Sequence, residues 1–294
     1  MPLVNEIVAM QEELTRWRRD IHAHPELGFE EARTAAFVAN KLQEFGLQVH
    51  QKIGKTGVVG VIKGSGDGPS IGLRADMDAL PIDEMNDTPW KSQNAGVMHA
   101  CGHDMHVTSL VGTTKMLMDN RDKWSGTVML VGQPAEEIIN GAKAMLDDGL
   151  YERFGVPDYA LGLHVSSGTP SGTISIRDGI MYSSVDSVDI QVRGIGGHGA
   201  YPQQTVDPIY VASQLVIALQ GIISRKINPF SPAVITVGSF QGGNKHNIIS
   251  DEVNLQLTVR TDSEDVREQV LGSIRDTAFN IGRLNGLPLS LIHI

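Results

Sequence analysis

Helix and strand patterns alternate along the first half of this 294-residue chain, and that alternation limits the possible folds more than any other feature. Helical apolar spacing runs through residues 3–21 and 30–45, with Gly46 as a natural stop, and short apolar runs follow at 57–63 and 70–74. Helical spacing returns at 107–119, followed by the strand TVMLVG at 127–132, a helix near 141–148 and the strand YALGLHV at 159–165. This order predicts an α/β sheet with helices on its faces. Ligands in such sheets gather at the strand ends. Asp76 and Asp78 follow the strand ending at Arg74, Glu136 and Glu137 follow the strand ending at Gly132, and His164 closes its own strand.

From about residue 183 the pattern changes. A strand at 185–194 leads through a glycine-rich turn to a helix at about 207–224, then strands at 233–240 and 252–260 and a helix at about 264–285. That is β-α-β-β-α, and the closing LPLSLIHI could supply the last strand of a ferredoxin-like unit. Two domains are expected, 1–182 and 183–294. A chain of this length can bury a sizeable core in each.

The formal net charge is −10, from 34 acidic against 24 basic residues, and no segment concentrates the basic ones. That argues against nucleic acid as a partner. The N-terminal segment reads as an amphipathic helix rather than a signal peptide, and no window is apolar enough to span a bilayer. A single cysteine excludes an internal disulfide framework. The cytoplasm is the simplest compartment, with no membrane association expected.

That cysteine lies in the octet His-Ala-Cys-Gly-His-Asp-Met-His, residues 99–106. Thiolate and imidazole are preferred ligands of zinc and similar metals, so Cys101 and His103 could reach one ion from a short loop. A lone cysteine is also commonly a small buried hydrophobe, and the octet alone leaves both readings open. In Gln133-Pro134-Ala135-Glu136-Glu137 a tight turn lets adjacent carboxylates point apart, one toward a metal and one handling protons. Taken alone, the pair better suits the opening of a helix, as a solvated pair. Taken together, the groups fit one mechanism. A metal held by Cys101, His103, Glu137 and His164 lowers the pKa of its water from about 15.7 to about 7 and polarises a scissile carbonyl. Glu136 then acts as general base and afterwards as acid, and Asp78 orients a ligating histidine.

Five segments, RRDIHAHPELGFEE (18–31), LRADMDALPI (73–82), HACGHDMH (99–106), QPAEE (133–137) and GGHGAYP (196–202), resemble a known family in order and spacing. It is the metal-dependent aminoacylase and carboxypeptidase family of amidohydrolases, which includes hippurate hydrolase, indole-acetyl-amino-acid hydrolases and N-acetyl-diaminopimelate deacetylases. The resemblance runs from about residue 14 to about 285. It implies a metallopeptidase-like catalytic domain carrying an inserted ferredoxin-like α+β dimerisation domain. It also implies a two-metal site with Cys101, His103, Glu137 and His164 as ligands, Cys101 bridging the ions, Glu136 as general base and Asp78 as the active-site carboxylate. The ions would be divalent: zinc, manganese, cobalt or nickel.

By the same resemblance the chain forms a homodimer in which His198 reaches the partner's site and binds the carbonyl oxygen that becomes an oxyanion. Asn247 and Arg260 match positions that hold the substrate's free carboxylate, although each also suits an ordinary turn, hairpin or strand residue. The implied reaction is hydrolysis of the amide bond of an N-acyl amino acid, releasing a carboxylic acid and an amino acid. A carboxypeptidase acting on short peptides is the alternative enzyme. Family members continue past the dimerisation domain to one more metal-binding histidine, whereas His293 stands in a different context. A C-terminally truncated catalytic domain, and with it an inactive dimerising fragment, is therefore also an expectation.

Overall fold

The computed structural model describes residues 5–287 and the backbone of 292–293, in two compact units, Met1–Thr173 and Ile174–Ile294. The division falls within residues 163–185, which carry no helix or strand.

In the first unit, helices α1 (Asn5–Ala23) and α2 (Ala32–Glu44) precede strands β1 (Val49–Ile53), β2 (Gly57–Lys63) and β3 (Ser70–Asp76). Then come α3 (His103–Asp119), β4 (Thr127–Gln133), α4 (Gly141–Asp147), α5 (Leu150–Phe154) and β5 (Tyr159–Gly162). The strands form one mixed sheet in the order β1-β2-β4-β3-β5. Burial is nearly continuous along the central strands β2 and β4, as it is when both faces are covered, and successive side chains point to opposite faces. Val58, Val128 and Leu130 pack with Trp17, Ile21, Val38, Leu42 and Val107 of the first three helices, while Val59, Met129 and Val131 pack with Met145 and Leu150 of α4 and α5.

The strand directions create the site. β3 runs parallel to both β4 and β5, with Asp76 paired to Gln133 and Arg74 to Gly162, so all three strands end on one edge of the sheet. The segments that follow them carry Asp78, Glu136-Glu137 and His164. The predicted helix at 107–119 begins earlier than expected, at His103, so His103 and His106 lie in its first turn rather than in a loop. Gly102 precedes it at φ +86, and a Cβ there would stand 2.4 Å from Val165 Cγ2. Only glycine fits that junction.

In the second unit, β6 (Asp186–Arg193), β7 (Gly197–His198), α6 (Pro208–Lys226), β8 (Ala233–Gly242), β9 (Ile248–Ile249), β10 (Glu252–Thr261), α7 (Glu264–Leu284) and β11 (Ile292–His293) follow in turn. Asp207 and Ser263 cap the two helices through their side chains. β11, β6, β10 and β8 form an antiparallel sheet in that order, and β7 pairs with β9 beside it. The expected closing strand at LPLSLIHI is represented by β11, while 288–291 and 294 lie outside the described residues. Among the described residues no helix is long and apolar enough to cross a membrane.

Candidate metal centre

Cys101, His103, Glu136, Glu137 and His164 meet at the shared strand edge. Ligating atoms of Cys101, His103 and His164 lie within 4.8 Å of one another, as do those of His103, Glu136 and Glu137. His103 is common to both groups and fully buried. Its Nδ1–H donates to the main-chain carbonyl of Asp78 at 2.9 Å, with the Asp78 carboxylate behind at 3.3 Å. That leaves Nε2 buried with no hydrogen-bond partner, 3.8 Å from both Glu136 Oε2 and Glu137 Oε1. Asp78 orients the ring mainly through its backbone. Its carboxylate accepts the Glu137 N–H at 2.9 Å and so fixes the acidic turn as well.

His164 is exposed and held by its own neighbour. Its Nδ1–H donates to Val165 O at 2.6 Å, and Nε2 lies 3.3 Å from Cys101 Sγ. His106 offers no free nitrogen. Its Nδ1–H donates to Asp76 Oδ1 at 2.6 Å and its Nε2 accepts the Val165 N–H at 3.0 Å, so it steers the segment carrying His164. Asp76 is committed too, with Oδ2 held by Arg74 at 2.7 Å. Burial disfavours the charge on Asp76, but the hydrogen bond from His106 and the Arg74 charge outweigh it and bring its pKa down to about 2. Asp76, His103 and His106 are close enough to suggest a third ligand group, yet two of the three are saturated.

The donor set and its electrostatics fit a divalent transition metal. Burial opposes a charge on His103, but Asp78, Cys101 and Asp76 overcome it and raise its pKa to about 10. Burial also pushes the Glu137 carboxyl up, with Glu136 adding to the push and His103 opposing it. A cluster that draws a proton so strongly onto one ring draws a metal cation for the same reason, with the ring neutral. The unpartnered His103 Nε2 and Glu137 Oε1 are the atoms such a cation would satisfy.

Several supporting residues carry no plain signal in the sequence. Glu31 is fully buried, and its carboxylate accepts the Ala135 N–H at 2.7 Å and the Thr56 hydroxyl at 2.5 Å. Ala135, at φ +48, holds a left-handed conformation that opens the Glu136-Glu137 turn. Gly141 closes that turn, since a Cβ there would fall 1.5 Å from Pro134 O. Glu26 accepts the N–H groups of Arg33 and Thr34 in the first turn of α2, freeing Glu31 from capping. Behind α3, Asp104 Oδ2 accepts from His22 at 2.7 Å and pairs with Arg18 at 2.9 Å, while His22 Nε2 meets Glu84 at 3.2 Å.

A family model described as peptidase family M20/M25/M40 matches residues 72–275. The chain belongs to that family. A hippurate hydrolase of Campylobacter jejuni is 44% identical over 291 residues, 99% of this chain and 75% of the relative. Thermostable carboxypeptidase 2 of Saccharolobus solfataricus is 41% identical, over 97% of this chain and 72% of the relative. Among solved structures, a dinuclear metal-binding M20 peptidase from Bacillus subtilis superposes with a TM-score of 0.78 at 36% identity, covering 95% of this chain and 72% of that one. As an M20 family member the chain is a hydrolase of the metal-dependent amidohydrolase type.

The remaining expected residues of this M20 chain lie in the second unit and are exposed. His198 on β7 accepts the Ala200 N–H through Nδ1 at 3.0 Å, and its ring is 5.4 Å from that of Tyr201. Asn247 is drawn beside it, its carbonyl accepting the Gly199 N–H at 2.9 Å. Arg260 is not brought to them. It stands eight residues along β10 from Glu252, roughly 26 Å at the usual rise per strand residue.

Proposed function

We propose that the chain hydrolyses the amide bond of N-acyl amino acids, releasing a carboxylic acid and a free amino acid. The observation that carries this reading is the buried, unpartnered Nε2 of His103 facing Glu136 and Glu137. Cys101, His103, Glu137 and His164 would hold two divalent ions, zinc, manganese, cobalt or nickel, which when bound supply Lewis acidity to the scissile carbonyl and to water. Glu136 takes the proton of the attacking water and returns it to the leaving nitrogen. Its side chain is 41% exposed, which leaves it accessible to water and substrate. Asp78 holds the His103 tautomer and the backbone of Glu137, so one residue aligns a ligand and the turn carrying the base.

On this reading the second unit is a ferredoxin-like dimerisation domain inserted in a metallopeptidase-like catalytic domain, with the division expected near residue 183. Its sheet order and two connecting helices support that. His198 would donate to the developing oxyanion in the partner of a homodimer, and Asn247 and Arg260 would hold the substrate carboxylate. Asn247 lies just before β9, whereas Arg260 stands near the far end of β10, and that spacing supports two copies sharing the task. Cleavage of short peptides from the carboxyl end is the second reading, supported by the Saccharolobus carboxypeptidase.

The test is turnover of hippurate, N-acetyl amino acids and dipeptides by the metal-loaded chain, with metal content measured in parallel. Glu136→Gln is expected to cut kcat by about 10²–10⁴-fold with metal content nearly unchanged. Loss of metal in that variant would reassign Glu136, and no hydrolysis of any substrate by a fully loaded wild type would sink the amidohydrolase reading.

A further inference from the structure

Leu80 and Met98 exchange backbone hydrogen bonds at 3.0 Å, and residues 81–97 between them form a closed loop without helix or strand. Ordered loops of this length are usually functional. Glu84, Asn86, Thr88 and Trp90 make one wall of a cavity of about 540 Å³, and Cys101 and His164 lie in another.

The later part of the loop is fixed, with the Gln93 N–H donating to Ala23 O at 2.8 Å and the Asn94 amide to Pro25 O at 2.7 Å. Residues 82–91 are held differently. Among the described residues, two polar contacts tie them to the unit beyond the loop and its base, both on α1. His22 Nε2 meets Glu84 Oε1 at 3.2 Å, and the Arg19 guanidinium lies 3.8 Å from the Trp90 ring centroid. The second is weak, since Arg19 is exposed. Glu84 is the one buried residue of 81–97, so a carboxylate anchors the loop where an apolar side chain is usual.

His22 Nδ1 faces Asp104 Oδ2 at 2.7 Å, so both ring nitrogens meet carboxylates, and the ring can donate to both only when doubly protonated. Arg18 of α1 offsets Asp104 at 2.9 Å, and burial keeps His99, its ring centroid 6.4 Å away, uncharged. The charge that balances Glu84 is therefore that of His22. A neutral ring keeps the shorter bond to Asp104 and turns a lone pair toward Glu84.

We propose that residues 82–91 are a lid over the cavity beside Cys101 and His164, latched by the His22–Glu84 pair and released when His22 gives up its proton. The hydrogen bond to Asp104 raises the pKa of His22, burial opposes it, and Glu84 adds while Arg18 subtracts. The latch thus holds below the ordinary histidine value of about 6.5 and opens as pH rises through the higher folded value. Closed, the lid keeps water from the centre, whichever amide is cleaved there.

The test is acrylamide quenching of Trp90 in the zinc-loaded full chain, isolated as the difference between wild type and Trp90→Phe and followed from about pH 6 into alkali. Quenching in the wild type should rise with pH as the open-to-closed ratio grows about tenfold or more, the order of one charge-assisted hydrogen bond. Glu84→Gln should stay shielded throughout, because its amide can donate to the neutral ring. His22→Leu should be quenched at every pH, and Glu84→Ala serves in its place if circular dichroism shows that it does not fold. Wild-type quenching that ignores pH, a transition that persists in Glu84→Gln, or a Trp90 still shielded at about pH 6 without the pair overturns the latch.

Discussion

Two buried histidines flank the start of α3, and the contrast between them separates a structural ion pair from a ligand. His22 has both ring nitrogens engaged, by Asp104 and by Glu84. His103 has one nitrogen engaged by the Asp78 carbonyl and the other open toward two glutamates. Both rings are buried among carboxylates and both are pulled toward the charged form. Burial and pKa direction therefore do not distinguish them. The count of unpaired nitrogens does.

Replacing His103 tests the contrast most severely. His103→Ala is expected to abolish metal binding and hydrolysis together, because the ring is common to both ligand groups, and metal analysis of the purified variant reads this directly. Retention of full metal content would move the centre elsewhere. His22→Leu is expected to leave metal content intact and to destabilise the fold by about 3 kcal/mol, since it takes from two buried carboxylates, Asp104 and Glu84, the ring that pairs with both.

The pH dependence sharpens that second outcome. The hydrogen bond to Asp104 raises the pKa of His22, burial opposes it, and Glu84 adds while Arg18 subtracts. The folded state thus keeps a proton that the unfolded chain releases above about pH 6.5. The stabilisation from this cluster is complete below that pH and is lost as pH rises through the folded value. In denaturant titrations of chelated protein, the gap between wild type and His22→Leu should be widest near pH 6 and narrow in alkali. A gap that widens with pH would mean that His22 is neutral in the folded protein.

Much of this arrangement is legible in the sequence because it depends on order. Apolar runs such as 57–63 mark buried strands, and chemistry-bearing residues just beyond strand ends follow from parallel topology. Where groups act through space the sequence is silent. β1 carries no strand signal in the sequence because its edge position leaves VHQKI largely polar and partly exposed. The start of α3 at His103 was hidden because His-Asp-Met-His reads as loop until Gly102 is seen in the left-handed region against Val165. His106 and His103 share one motif, and only the geometry reveals that the first is saturated by Asp76 and Val165 while the second is not.

Glu31 extends the same lesson from rings to carboxylates. In sequence it is one of two glutamates that open the helical spacing at 30–45, where negative charge suits the dipole and asks for no further role. In the fold its two oxygens are spent on Ala135 and Thr56, and the Ala135 contact spans 104 residues to brace a left-handed turn. Glu31→Leu keeps the bulk but removes both acceptors, so the Ala135 N–H and the Thr56 hydroxyl lose their partner. A buried donor left unpaired costs about 1–3 kcal/mol, no more than breaking the buried pairs around His22. The turn it braces carries Glu136 and Glu137, so kcat should fall along with stability, and metal affinity should weaken through Glu137. A variant that loses stability but keeps kcat and metal affinity would show that Asp78, through the Glu137 N–H, is sufficient to hold the turn.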